Sequence, residues 1–90
     1  MGEIDIIARD KEDLVFVEVK TRSSSKFGTP AQAITYYKKR NIINTARWYI
    51  AEKNIELNIR FDVIEVYGKY TGYSFELENI NHIKFAITEV

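Results

Sequence analysis

No cysteine occurs in this 90-residue chain, and histidine occurs once, at His82. A disulfide scaffold, a thiolate-built zinc site and a thiol nucleophile are thereby excluded, as is any site that needs two imidazoles. The absence of cysteine fits a reducing compartment. Proline is nearly absent, with Pro30 alone, and glycine occurs four times. No apolar run approaches the ~20 residues of a membrane-spanning helix. The opening Met1-Gly2-Glu3-Ile4-Asp5 has none of the features of a secretory signal. These absences lead to the expectation of a cytoplasmic protein with no membrane partner.

There is also no excess of charge of either sign: 13 basic residues balance 13 acidic ones. Dedicated DNA-binding domains are usually basic, so overall charge does not argue for one. The distribution is uneven, however. From Lys20 to Arg47 the chain carries Lys20, Arg22, Lys26, Lys38, Lys39, Arg40 and Arg47 with no acidic residue. A basic middle beside an acidic N-terminal segment can bind a polyanion. Apolar residues make up 46% and charged residues 29%, the balance of a globular domain. The length allows one domain, residues 1–90, which buries only ~60–65% of its unfolded surface. Its core must be well packed or be completed by another chain.

Residues 2–9 alternate with period two, Glu3, Asp5 and Ile7 against Ile4, Ile6 and Ala8. Leu14 to Lys20 alternates likewise. The short polar link Asp10-Lys11-Glu12-Asp13 joins them as an antiparallel hairpin. Pairing Arg9 with Leu14 sets Ala8 opposite Val15, Ile6 opposite Val17 and Ile4 opposite Val19, one continuous apolar face. The same register sets Asp5 opposite Glu18 and Glu3 opposite Lys20. A one-residue slip would mix the faces. A polar loop follows, from Thr21 to Gly28. Thr29-Pro30 is a helix-start signal, with a short helical piece expected over 31–34. Thr35 caps a longer helix from Tyr36 to about Lys53, in which Ile42, Ile43, Ala46, Tyr49 and Ile50 form an apolar stripe. Further strands are expected over 59–67 and 73–77 about a turn at 68–72. Strand, strand, helix, strand, strand indicates an α/β fold with a mixed sheet and a helix on one face.

The chemistry concentrates at Asp5, Glu18, Val19 and Lys20. Two carboxylates opposite each other on a hairpin repel, and partial burial obliges them to take a proton or a cation. Mg²⁺ or Mn²⁺ relieves this with oxygen ligands, one or two carboxylates and several waters; the Val19 carbonyl offers one more oxygen. Lys20, two residues from Glu18 on the same face, is placed to orient a water and stabilise developing negative charge. Asp5, Glu18 and Lys20 are therefore the candidate catalytic residues and Asp5, Glu18 and Val19 the candidate metal ligands. A solvated polar face is the competing reading.

The segments Gly2-Glu3-Ile4-Asp5-Ile6-Ile7-Ala8, Val15-Phe16-Val17-Glu18-Val19-Lys20-Thr21-Arg22 and Phe27-Gly28-Thr29-Pro30-Ala31 resemble the YraN-type family. This uncharacterised group is related to the restriction-endonuclease-like PD-(D/E)XK superfamily, near the archaeal Holliday-junction resolvases. Arg47-Trp48-Tyr49, Arg60-Phe61-Asp62-Val63 and Ile80-Asn81-His82-Ile83 match in order as well, so the resemblance covers nearly the whole chain. It implies a restriction-endonuclease-like mixed sheet with a central long helix. It also implies Asp5 as the motif's first aspartate and Glu18 and Lys20 as its E-x-K. The family's usual N-terminal helix and strand, with a further glutamate, precede this motif, and the chain begins at it. Glu3 and Gln32 are accessory candidates, Gln32 through a Q-x-x-x-Y spacing with Tyr36.

The implied activity is metal-dependent hydrolysis of DNA phosphodiesters, branched DNA included. The alternatives are a nucleic-acid-binding domain without turnover and a dimerising module, as a homodimer or with a partner that completes the core. Thr21, Arg22, Ser23, Lys26, Lys38, Lys39 and Arg40 are the expected contacts to phosphate. Trp48 and Tyr49 are expected in the core, Asp62 in a structural role, and His82 at the surface or hydrogen-bonded.

Overall fold

The structure, a computed structural model, describes residues 4–23 and 34–87. Its elements run β1 (Ile6–Asp10), β2 (Asp13–Arg22), α1 (Tyr36–Lys53), β3 (Asn58–Thr71) and β4 (Ser74–Ile83). The strands form one mixed sheet in the order β1-β2-β3-β4. β1 is antiparallel to β2, β2 parallel to β3, and β3 antiparallel to β4. The parallel pair needs a crossover, which contains α1. This is the α/β architecture expected from the order of elements. Among the described residues no helix is long and apolar enough to cross a membrane.

The β1–β2 register is the one the apolar pattern dictates: Ile6 with Val17, Ala8 with Val15 and Arg9 with Leu14. The connection is tighter than expected, because Asp10 pairs with Asp13 and only Lys11 and Glu12 turn. Lys11 takes a left-handed conformation there (φ 56°). β2 also runs further than expected: Thr21 and Arg22 pair with Val66 and Tyr67 of β3 rather than opening a loop.

α1 begins where the sequence indicates. Thr35 is the N-cap, its Oγ1 accepting from the Lys38 amide at 3.1 Å. Asn54 ends the helix in the left-handed region (φ 53°), a conformation asparagine tolerates, and its amide turns back to Ala51 and Ile50 carbonyls. Ile42, Ile43 and Ala46 are the buried residues of the helix. They pack with Leu14, Phe16, Phe61 and Val63, and Ile34 and Ile87 complete the cluster. Phe16 anchors it, stacked on Phe61 at 5.7 Å and edge-on to Tyr49 at 5.9 Å. Tyr49 thus joins the core margin, whereas Trp48 is 49% exposed, against expectation. It sits beside the stripe, where the 3.6-residue period turns it to solvent.

The main correction concerns the faces. The face of Ile6, Ala8, Val15 and Val17 is not the one that α1 covers. The helix packs on the Leu14–Phe16 face, the face that continues to Glu18 and Lys20. The bulkier side chains lie on that side, and Phe61 and Val63 of β3 extend it. Val15 and Val17 are nevertheless buried while Ile6 is 44% exposed. A strand between two neighbours is covered on both faces.

β3 and β4 also exceed expectation. Gly68 lies inside β3 at a register shift after Tyr67. A Cβ there would press on the Glu76 carbonyl and the Phe75 ring, so the position admits only glycine without displacement. The turn is Gly72-Tyr73, with Gly72 at φ 61°. The tail residues Ile80 to Ile83, unassigned by pattern, belong to β4. Of the short helical piece expected over 31–34, residues 31–33 lie outside the described residues, and Ile34 is buried in the core but not helical.

Candidate metal and phosphate site

Asp5 precedes β1, and Glu18 and Lys20 lie on β2. The hairpin register brings the two carboxylates together. The Val19 amide donates to Asp5 Oδ2 at 2.8 Å, fixing Asp5 across from Glu18. The Glu18 carboxyl group beside it, and then the Val19 amide, hold Asp5 below the ordinary carboxylate range. Glu18 is 6% exposed. Burial, and then the Asp5 carboxylate, push its carboxyl above the usual range. Two like charges set against each other in this way oppose each other's ionisation unless a cation relieves them. Glu18 Oε2 is buried and makes no hydrogen bond within the chain. The Lys38 ammonium nevertheless lies 3.3 Å from it, an ion pair without hydrogen-bond geometry.

Lys20 continues the face, opposite Glu65 of β3. Glu65 is a site residue that sequence reasoning missed. It is 2% exposed, and it accepts from the Tyr67 hydroxyl and from Asn81 Nδ2 at 2.5 Å. The signal was present: alternation puts Glu65 on the side of Phe61 and Val63, where a carboxylate needs a reason. Arg22, opposite Tyr67, has a buried Nε without a hydrogen bond within the chain. One face of the sheet therefore runs from Asp5 through Glu18, Lys20 and Glu65 to Arg22.

Of the expected phosphate contacts, Thr21 and Arg22 lie on β2, Ser23 follows it and is exposed, and Lys39 and Arg40 are exposed on α1. Lys38 differs: it is turned to Glu18. Tyr36 and Tyr37, 69% and 80% exposed, stand at the helix start with their rings edge-to-face at 5.7 Å. Glu3, Lys26 and Gln32 lie outside the described residues. Among the described residues no group of three or more acidic, histidine or cysteine side chains could hold a metal. A hard divalent ion here would rest on Asp5 and Glu18 with water or backbone oxygens, a coordination that Mg²⁺ accepts.

The opposite face carries a separate ionic cluster. Arg60 donates to both Asp62 oxygens at 2.9 Å and to Asp10 and Asp13 at 3.0 and 3.3 Å. Asp62 also accepts from the Phe85 amide at 3.2 Å and bonds His82 Nε2 at 2.7 Å. The Phe85 ring covers Arg60 at 5.7 Å. Arg60 thereby relieves the Asp10–Asp13 repulsion and ties the hairpin end to β3. Asp62 has a structural role and His82 is hydrogen-bonded, both as expected.

Fold and site define a small α/β domain with an acidic pair on its hairpin, Glu18 buried on the sheet's helix-covered face and Asp5 exposed. The profile of the "Uncharacterised protein family UPF0102" matches residues 1–66. A UPF0102 protein of Clostridium acetobutylicum is 47% identical over 83 residues, 91% of this chain and 68% of that protein. Those of Caldanaerobacter subterraneus subsp. tengcongensis and Acetivibrio thermocellus are 46% and 45% identical, over 92% and 96% of this chain and 67% of each relative. The chain belongs to the UPF0102 family, the YraN-type group that its motifs resemble, and spans about two thirds of the length of these relatives.

Proposed function

We propose that this chain is a restriction-endonuclease-like nuclease domain that hydrolyses DNA phosphodiesters, branched DNA included, with Mg²⁺ or Mn²⁺. The observation that carries the reading is the contact between Asp5 and Glu18, with Glu18 buried and Lys20 on the same strand face. A buried carboxylate set against a second one destabilises a small domain unless a cation uses it. Asp5 and Glu18 would hold the ion, with the Val19 carbonyl available; when bound, it lowers the pKa of a water and polarises the phosphoryl oxygen. Lys20 orients the attacking water and offsets charge on the phosphorane-like transition state. Thr21, Arg22 and Ser23 at the end of β2, and Lys39 and Arg40 exposed on α1, would meet the flanking phosphates.

The test is calorimetric titration of Mn²⁺ into the wild type and into Asp5→Asn, followed by cleavage assays on a four-way junction and on linear duplex. Saturable binding lost in the mutant, with metal-dependent cleavage lost in Lys20→Ala, is the expected result. Absence of binding by the wild type would sink the reading.

A second reading has its own observation. From Gly68 onward β3 and β4 continue as a two-stranded ribbon whose Tyr70, Tyr73 and Leu77 are exposed, and Ile80, opposite Val66 further along β4, is exposed as well. Such a surface suits assembly with a second copy of the chain. Sedimentation of the wild type against Leu77→Lys separates the two: a dimer that the substitution dissociates supports assembly.

A further inference from the structure

Lys38 occupies a position that helix physics disfavours. It lies in the first turn of α1, where the helix dipole opposes a cation and where no acidic residue sits to balance it. Its backbone is nevertheless fixed there, its amide donated to Thr35 Oγ1 at 3.1 Å. From that anchor the side chain crosses to β2 and sets its ammonium 3.3 Å from Glu18 Oε2. The E-x-K pattern already supplies a lysine, Lys20, so Lys38 is a second cation brought to the acidic pair from a different element.

The two partners are unequally covered. The Lys38 side chain is 25% exposed and that of Glu18 only 6%. The ammonium can therefore swing into water, where it is well solvated, whereas the carboxylate stays in the covered face beside Asp5. A divalent ion held by Asp5 and Glu18 would bring twice the charge of the ammonium to the pair. We propose that Lys38 is the resident counter-cation of the Asp5–Glu18 pair, the group that a divalent ion displaces from Glu18, and so the residue that sets how tightly the site takes a metal. This rests on the reading of Asp5 and Glu18 as a metal site. It assigns to Lys38 a task distinct from that of Lys39 and Arg40, which are exposed on the same turn.

The test is calorimetric titration of Mn²⁺ into the wild type, Lys38→Met, Lys38→Arg and the neighbouring control Lys39→Met, with Lys38→Gln in reserve should Lys38→Met fail to fold. Methionine keeps an unbranched side chain without the charge. Lys38→Met should bind Mn²⁺ about tenfold tighter, the effect of removing one competing charge from the site. Lys38→Arg and Lys39→Met should stay near the wild type. If Lys38→Met binds no more tightly than a wild type that does bind, the exchange is refuted and the metal site stands. If Lys38→Met binds and the wild type does not, no ion displaces the lysine in this chain, and the exchange is refuted. If neither binds, the metal site falls and the exchange falls with it.

Discussion

Replacing Glu18 by glutamine should make the metal-free chain more stable while removing its capacity to bind metal. Glu18 is buried against Asp5, and its carboxyl is pushed above its ordinary range by burial and by that neighbour. A group with a raised folded pKa contributes stability that is complete at low pH and lost as pH rises through the folded value. Once ionised, Glu18 is thus a cost, which the Lys38 ion pair only partly offsets. Glutamine supplies permanently what a proton on Glu18 supplies at low pH, here as an N–H donated to the Asp5 carboxylate. A hydrogen bond to a charged group contributes about 1.5–3 kcal/mol. Releasing the part-exposed Lys38 to water costs about 0–1 kcal/mol. The net gain is about 0.5–3 kcal/mol, and each kcal/mol raises Tm by roughly 4–8 °C in a domain of this size. The assay is thermal unfolding in EDTA from pH 4 to 8. The gap between variant and wild type should be widest at pH 7–8 and close below about pH 4, where Glu18 is protonated in both states. A Glu18→Gln variant less stable than the wild type at pH 7 would refute the reasoning, because the pair would then be a net stabiliser. Loss of Mn²⁺ binding in the same variant would mark the exchange of stability for function common at such sites.

Three further outcomes are expected. Asp62→Ala should cost about 3–5 kcal/mol in urea unfolding, since it strips a buried cation of its main partner. Burial opposes ionisation of Asp62, but Arg60, His82 and the Phe85 amide outweigh it and hold the carboxyl below its ordinary range. Its contribution is therefore present above about pH 4 and lost as pH falls further. Gly68→Ala should destabilise by about 1–3 kcal/mol, the usual cost of overpacking, because the added methyl meets the Glu76 backbone; an unchanged Tm would refute the close approach. Under the nuclease reading, Tyr36→Ala with Tyr37→Ala should weaken single-stranded DNA by about 1–3 kcal/mol per stacked base. Duplex binding, measured by anisotropy, should change less, and equal losses on both would assign the tyrosines another role.

The pattern of side chains alone determined the hairpin register, because only one alignment keeps Ile6, Ala8, Val15 and Val17 on a common face, and that alignment places Asp5 against Glu18. It also determined the helix start at Thr35 and the stripe of Ile42, Ile43 and Ala46, which are local properties of caps and of the 3.6-residue period. Which face of the sheet the helix would cover was not local. Both faces of β2 carry apolar residues, and the choice rests on Phe61 and Val63, some 45 residues away along the chain, continuing the Leu14–Phe16 surface through a parallel ladder. That choice buries Glu18 and, with it, makes the acidic pair a matter of energetics rather than a solvated edge. The same long-range pairing sets Glu65 opposite Lys20, gathers Asp10, Asp13, Asp62 and His82 around Arg60, and turns Lys38 from a surface cation into the partner of Glu18. Spacing along a strand or helix reports which residues share a face; only the packed sheet decides what that face meets.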